Sequence, residues 1–173
     1  MSTIVIYNSQ TGFTKEYAEW IAEELGCQAV SFAERKSINY NEYDTIIIGS
    51  WLQAGNIRET GKIRRIIRKY KDKRFAVYAT GCMPADAKNI PGIFEKNFPK
   101  DRFTNCDTFY FRGGLRYEKM TKMGQKMMAM LKKVLSGKKE PSAADKATLE
   151  IISNNFEGQD RASISTIIDW AQK

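Results

Sequence analysis

Three hydroxyl side chains surround a single glycine near the amino end of the chain. Ser9, Thr11 and Thr14 flank Gly12 in the stretch NSQTGFT, which directly follows the apolar run TIVIY. Hydroxyls and backbone N–H groups at the start of a helix can hold a phosphate, because the helix dipole puts partial positive charge there. The glycine lets the backbone come close to the anion. We therefore predict a phosphate site without a lysine, formed by Ser9, Gln10, Thr11, Gly12, Phe13 and Thr14.

The same residue types are also common in a turn whose hydroxyls only cap the following helix. Neither the GxxxxGK pattern nor the GxGxxG pattern of other phosphate-binding loops is present in this stretch. Its place between a strand-like run and a helix-like segment favours the phosphate site over simple capping. Both interpretations are compatible with the sequence.

The residues missing from the chain exclude several kinds of chemistry. There is no histidine, which excludes Ser-His-Asp and Cys-His catalysis and histidine metal sites. Cys27, Cys82 and Cys106 are widely spaced and form no CxxC pair, so we predict neither a disulfide framework nor a metal site. A chain with so few acid–base groups at neutral pH needs a cofactor for difficult chemistry.

Strand-like and helix-like segments alternate along the 173 residues. The apolar runs predict strands at 3–7, 28–33, 44–50, 74–81 and 102–114, and the 3.6-residue patterns predict helices at 15–26, 60–71, 117–135, 142–156 and 163–173. Such alternation produces right-handed βαβ units and a parallel sheet covered on both faces. We predict a single α/β domain over 1–173, with a doubly wound five-stranded parallel sheet of order 2-1-3-4-5.

Ligands of such sheets bind beyond the carboxyl ends of the strands, where the strand order reverses. The loops after the third and fourth predicted strands therefore join the phosphate site. Their candidate binding residues are Ser50, Trp51, Leu52, Gln53, Ala54 and Gly55, followed by Thr80, Gly81 and Cys82. Trp51 is either a flat platform for a ring or a tryptophan of the core or rim. Cys82 is predicted as a small apolar lining residue rather than a redox thiol, because no second cysteine is near it in sequence.

The net charge of +8 is concentrated in two segments. Residues 58–74 contain nine lysines and arginines but only two acidic residues, and residues 112–139 contain nine against one. The predicted helix 117–135 also carries an apolar stripe of Met120, Met123, Met127, Met130, Leu131 and Val134. This helix is either an ordinary amphipathic helix packed on the sheet or a surface for an anionic membrane or an acidic redox partner. Without an aromatic platform or a recognition-helix pattern, the basic segments predict no nucleic-acid binding.

Several segments together resemble a known family. SQTGFT matches the S/T-x-T-G-x-T phosphate loop of flavodoxins, and IIIGSWLQAGNIR and FAVYATG resemble their third and fourth strands with the loops that follow. FRGGLRYEKMTKMGQKMMAMLKKV and the closing DRASISTIIDWAQK resemble a narrower group, the flavodoxin-like proteins related to menaquinone-dependent protoporphyrinogen oxidase. That group usually has Arg-Tyr before the glycine of its second loop, where this chain has Gln53 and Ala54.

The resemblance implies a flavodoxin-like fold that binds FMN, with an extra basic helix after the fifth strand. It implies that Trp51 stacks on the flavin ring and that backbone N–H groups of Thr80, Gly81 and Cys82 lie near that ring. The implied function is that of an FMN-dependent oxidoreductase or electron-transfer protein, with a quinone or a redox protein as partner. The alternatives are a plain electron carrier and a binding module that kept the fold without the flavin. We predict a cytoplasmic protein, and contact through 117–135 would place it at the membrane periphery.

Overall fold

Five parallel strands form the centre of the molecule. The computed structural model describes residues 2–173. The strands are β1 (Thr3–Tyr7), β2 (Gln28–Ser31), β3 (Thr45–Gln53), β5 (Arg74–Gly81) and β6 (Cys106–Arg112), and they lie in the order β2-β1-β3-β5-β6. A short strand β4 (Asn56–Ile57) pairs antiparallel with the end of β3. Counted over the parallel strands alone, this order confirms the predicted 2-1-3-4-5 arrangement of a flavodoxin-like sheet.

Within residues 2–173, six α-helices accompany the sheet: α1 (Phe13–Leu25), α2 (Thr60–Lys69), α3 (Ile90–Asn97), α4 (Lys122–Ser136), α5 (Ala143–Ser153) and α6 (Ser165–Ala171). Helices α1 and α6 pack on one face of the sheet, and α2 and α3 pack on the other. Alternate residues of each strand enter the two cores, so Ile46 and Ile48 face α2 and α3 while Ile47 faces α1. Burial on both faces explains why the strands are continuous apolar runs.

The predicted carboxyl end of the third strand is wrong. The strand predicted at 44–50 does not end at Ser50, because β3 continues to Gln53 and turns back into β4. Ala54 and Gly55 have φ angles of 49° and 73°. Positive φ at both central residues is typical of the two-residue turn that connects the strands of a tight hairpin. The connection after the third strand is therefore a hairpin rather than an irregular loop.

The predicted helix 117–135 also begins later than expected. Residues Tyr117–Lys119 form a short 3-10 turn, and α4 starts at Lys122, where the Thr121 side chain accepts a hydrogen bond from the Gly124 N–H. The threonine cap sets the start of the helix because it satisfies one of the first N–H groups. Within residues 2–173, no helix combines the length and the apolar character needed to cross a bilayer.

Helices α4 and α5 form a separate layer beside the carboxyl ends of the strands. They pack against each other, and their inner sides share a small apolar cluster built on Leu115, Leu135 and Ile152. The two ends of this inserted segment are joined by an antiparallel bridge between Leu115 and Phe156. The predicted apolar stripe of α4 is largely outside the cluster, because Met123, Met130 and Val134 are 73%, 69% and 51% exposed.

Candidate functional site

The first turn of α1 has no side-chain cap. The residue before the helix is Gly12, at a φ of 107°, and no side chain bonds to the N–H groups of the first turn. Ser9 Oγ instead accepts a hydrogen bond from the Gly12 N–H at 3.2 Å. A helix leaves its first N–H groups without intrahelical partners, so these donors are available to an anion. Among the described residues, the nearby hydroxyls therefore do not cap the first turn of α1, and the phosphate site stays a prediction.

Buried hydrogen bonds hold this phosphate loop, defined as residues 9–14, from below. The hydroxyl of Tyr78, on β5, donates to the carbonyl oxygen of Thr14 at 2.8 Å. The Thr14 and Thr80 hydroxyl oxygens lie 2.7 Å apart and are both buried. Burial raises the pKa of Tyr78 well above its ordinary value, so this phenol stays neutral and remains a donor. The loop is thus tied to the strand that carries the third group of candidate residues.

Gly49 is what makes room for that tyrosine. It pairs with Tyr78 across β3 and β5, and a Cβ atom at Gly49 would lie 2.0 Å from Cζ of the Tyr78 ring. Any larger residue would push the ring away and break its bond to Thr14. The sequence contained this glycine within a β-branched run, but only the strand register shows which side chain it accommodates.

The hairpin of β3 and β4 forms one wall of the site. Trp51 lies near the end of β3, opposite Thr80, and its ring is 5.5 Å from the Arg58 guanidinium. Ser50 is buried inside the hairpin, where its hydroxyl donates to the Arg58 carbonyl at 2.8 Å and accepts from the Asn8 side-chain amide at 3.2 Å. Ser50 therefore links the hairpin to Asn8, the residue just before the phosphate loop, while Trp51 lines the cavity between them.

Cys82 ends the third group of candidates. Its Sγ donates to the carbonyl oxygen of Gly114 at 3.5 Å, and burial raises its pKa to about 11, against a smaller opposing effect of Arg112. A neutral thiol is a poor nucleophile and a poor redox centre. The residue thus has the character of the apolar lining residue that the sequence predicted.

These elements enclose one cavity of about 380 Å³ at the carboxyl edge of the sheet. Eleven of the fifteen predicted residues line it: Gln10, Thr11, Phe13, Thr14, Trp51, Leu52, Gln53, Ala54, Thr80, Gly81 and Cys82. The other four, Ser9, Gly12, Ser50 and Gly55, do not line the cavity. They shape its loops through the hydrogen bonds and positive φ angles described above.

The sequence did not identify the remaining wall of the cavity, the one not formed by the loops and the hairpin described above. It consists of Gly113, Gly114, Leu115, Met120, Gly124, Met127, Met128 and Leu131. The tip of the hairpin reaches this wall, because Gln53 Nε2 lies 3.8 Å from Met127 Sδ. The methionine spacing on 117–135 was visible in the sequence, but it did not reveal that part of the stripe faces a cavity.

Arg116 is a second residue that the sequence did not identify as part of the site. Its Nη1 donates to the Thr11 carbonyl oxygen at 3.1 Å and to Glu16 Oε1 at 2.7 Å, and its Nε donates to Glu157 Oε1 at 2.7 Å. The guanidinium lies 4.0 Å from the centroid of the Phe13 ring, and the side chain is only 11% exposed. The hydrogen bonds that Glu157 accepts from Arg116, and then one that it accepts from Gln159, lower the pKa of its carboxyl to about 2.

The cavity offers little acid–base chemistry of its own. Among the described residues that line it, Cys82 alone has a titratable side chain, and that thiol is neutral at ordinary pH. Within 2–173, no three His, Cys, Asp or Glu side chains lie close enough to share a metal ion. The arrangement can bind an elongated ligand that is apolar and flat at one end and anionic at the other.

A known family and one curated relative match much of the chain. The flavodoxin domain family matches residues 4–142. The chain is 29% identical over 110 residues to the flavodoxin-like domain-containing protein BilS of Clostridioides difficile (strain CD3), a stretch that covers 58% of this chain and 60% of BilS. The aligned stretch thus spans less than two thirds of that relative.

Solved structures also match the chain, at low sequence identity. A flavodoxin from the domain Archaea is 13% identical and covers 88% of this chain and 97% of its own, with a TM-score of 0.44. A flavoprotein in complex with FMN from Lactobacillus acidophilus NCFM is 19% identical and covers 64% and 91%, also with a TM-score of 0.44.

Proposed function

The chain belongs to the flavodoxin domain family, and from that premise we propose that it binds FMN and transfers electrons through it. One observation carries the proposal. The uncapped start of α1 and an apolar cavity next to Trp51 occur together at the same edge of the sheet. FMN has a dianionic phosphate at one end and a flat ring system at the other, so its two ends match these two features.

The phosphate of FMN would lie against residues 9–14. The first-turn N–H groups of α1 and the Thr11 hydroxyl are the donors that we assign to it, and Gly12 allows the backbone to approach. The Thr14 hydroxyl already bonds to Thr80, so its main contribution is to hold the loop in place. A preformed loop of this kind binds more tightly because little conformational entropy is lost on binding.

The flavin ring would lie between Trp51 and the loop Thr80–Cys82. Bound FMN supplies the one- and two-electron transfer that the side chains of this site cannot perform. The Trp51 ring and the apolar wall of α4 exclude water, and N–H groups of 80–82 stabilise negative charge on the ring. With no charged side chain among the described lining residues, we expect protons to come from solvent or from the substrate.

The exposed side of α4 suggests the kind of partner. Met123 and Met130 are exposed next to Lys126 and Lys133, which gives the helix an apolar strip with a basic border. Such a surface suits an anionic membrane that contains a quinone, as in the group related to protoporphyrinogen oxidase, because lysines attract anionic lipid and methionines adapt to apolar contacts. We propose a quinone-linked oxidoreductase of this kind as the first candidate.

The second candidate is a plain electron carrier whose basic strip binds an acidic redox protein. The hairpin supports it, because Gln53 and Ala54 replace the Arg-Tyr that is usual in the oxidase group. A steady-state assay with protoporphyrinogen and a quinone separates the candidates. Turnover by the FMN-loaded protein supports the oxidase, and reduction of FMN without turnover supports the carrier.

A titration with FMN tests the proposal itself. Flavin fluorescence should be quenched at a ratio of one FMN per chain, since a ring stacked near Trp51 loses its emission by contact with an aromatic neighbour. The protein expressed with added riboflavin and purified should be yellow. A colourless protein that does not quench FMN would support the flavin-free binding module instead.

A further inference from the structure

Two charged side chains lie directly against the phosphate loop. A Cβ atom built on Gly12 would be 2.7 Å from Arg116 Nη1 and 3.7 Å from Glu16 Oε1. Glu16 belongs to the first turn of α1. A carboxylate at this position interacts favourably with the helix dipole but repels a bound phosphate. A single acidic residue at this position would weaken the site unless a cation balances it.

Arg116 is that cation, and its guanidinium makes several hydrogen bonds at once. It bonds to Glu16, to Glu157 and to the Thr11 carbonyl, and it lies over the Phe13 ring. Because the Thr11 carbonyl is held towards Arg116, it is held away from an anion in the loop. Arg116 therefore has two effects on the loop: it orients a peptide group and it compensates Glu16.

The inserted segment, not the core of the fold, supplies this residue. Arg116 follows Leu115, which pairs with Phe156, and Glu157 and Gln159 come from the far end of the insertion. The Gln159 amide donates to Glu16 Oε2 at 3.2 Å, which closes the ring of contacts. The base of the α4–α5 layer is thus locked to the phosphate loop at one place.

We propose that Arg116 is a positioning residue that makes the site selective for a phosphorylated flavin, by compensating Glu16 and holding the Thr11 peptide. This inference rests on the proposed binding of FMN. It differs from that proposal because it predicts how affinity divides between FMN and riboflavin, which lacks the phosphate. A residue that only stabilised the fold would affect both ligands equally.

The test compares the dissociation constants of FMN and riboflavin by fluorescence titration. For Arg116→Ala we expect the FMN constant to rise about 100-fold, because Glu16 is then left uncompensated beside the phosphate. We expect the riboflavin constant to change by less than about threefold, since its ring contacts are distant from residue 116. Circular dichroism checks that the variant is folded.

A double mutant isolates the electrostatic effect. Replacing Glu16 with Gln in the Arg116→Ala protein should recover at least about tenfold of the lost FMN affinity, because the repelling charge is gone. Arg161→Ala is the matched control. Like Arg116, Arg161 bonds to a glutamate of α1, here Glu24 at 2.8 Å, but this contact lies outside the phosphate loop. It should leave both dissociation constants unchanged.

If Arg116→Ala does not fold, Arg116→Lys replaces it, because lysine keeps the charge but cannot make all of the same bonds. The expected result is about a tenfold loss for FMN and none for riboflavin. Equal losses for both ligands, or no recovery in the double mutant, overturn the inference while FMN binding by the wild type stands. A wild-type protein that binds neither flavin overturns both the inference and the proposed function.

Discussion

The two sides of the cavity are built in different ways. On the phosphate side, buried groups bond across long sequence distances, as between Tyr78 and Thr14 or between Arg116 and Thr11. On the α4 side, the wall consists of glycine, leucine and methionine residues, and the same helix leaves Met123 73% exposed. One side of the site is fixed by hydrogen bonds, and the other is formed by adaptable apolar contacts.

Under the proposed function, this difference follows from what each side would recognise. A phosphate needs donors at set positions, and buried hydrogen bonds keep those positions because breaking one leaves an unpaired polar group. An apolar partner is held by contact area rather than by hydrogen bonds of set direction. Methionine provides apolar contact area, and its flexible side chain adapts to the shape of the partner. We therefore expect mutations on the phosphate side to change ligand binding strongly, and mutations on the α4 surface to change stability and FMN binding little.

The largest effect is expected for Gly12→Val. Residue 12 has a φ of 107°, which a β-branched residue avoids, and its Cβ would collide with Arg116. FMN affinity should fall by at least about 100-fold in a fluorescence titration. Gly26→Ala is the matched control, since Gly26 also has a positive φ of 61° but no atom within 4 Å of the added Cβ. The control should lower stability and leave FMN affinity unchanged. An unchanged FMN affinity in Gly12→Val, or an equal loss in Gly26→Ala, would contradict the assignment of the loop.

Cys82, where the two sides meet, should react slowly with iodoacetamide. Its pKa is raised to about 11 by burial, so at pH 8 its thiolate fraction is lower than that of a thiol in an unfolded chain by about 100-fold. The rate, followed by mass spectrometry, should rise as the pH approaches 11, and FMN should protect the residue because it lines the cavity. A raised thiol pKa stabilises the fold below about pH 9, and this contribution is lost as the pH rises through the folded-state value. Fast alkylation of Cys82 at pH 8 in the folded protein would contradict its burial.

Tyr78→Phe should lower the free energy of unfolding by about 1–3 kcal/mol, because the Thr14 carbonyl loses its buried donor. FMN binding should weaken with it, as the phosphate loop loosens. Tyr40→Phe is a close control, because the buried Tyr40 hydroxyl has no hydrogen-bond partner among the described residues. Urea denaturation should show that this second variant is as stable as the wild type or more so. Equal losses for the two variants would mean that the bond to Thr14 contributes nothing specific.

The smallest effect is expected on the outer side of α4. Met130→Gln replaces a side chain that is 69% exposed, so stability should change by less than about 0.5 kcal/mol and FMN affinity should not change. Met128→Gln, at a partly buried position in the apolar cluster, should cost about 1–3 kcal/mol. Thermal unfolding of the two variants tests this contrast. A large destabilisation by Met130→Gln would mean that the exposed strip is part of the core.

Much of the phosphate side could be predicted because its signals are local. Gly12 and the hydroxyls around it are consecutive in the chain, and they follow a strand whose apolar run is unmistakable. The hairpin was harder to predict, because Gln53-Ala54-Gly55 lacks the Asn-Gly pair that marks such a turn, and Ala54 adopts a positive φ that alanine seldom has. Arg116 was not identified because its partners, Thr11 and Glu157, are 105 and 41 residues away.

The sequence by itself determined the alternation of strands and helices, the sheet order and the position of the glycine-containing loop that we propose for the phosphate, because hydrophobic period and turn residues act over a few neighbouring positions. Only the tertiary structure decided that Gly49 accommodates Tyr78, that Arg116 reaches the phosphate loop, and that α4 presents some methionines to the cavity and others to solvent. The helical period places all these methionines on one stripe, but which part of a stripe is covered depends on neighbours that the chain brings together only when it folds.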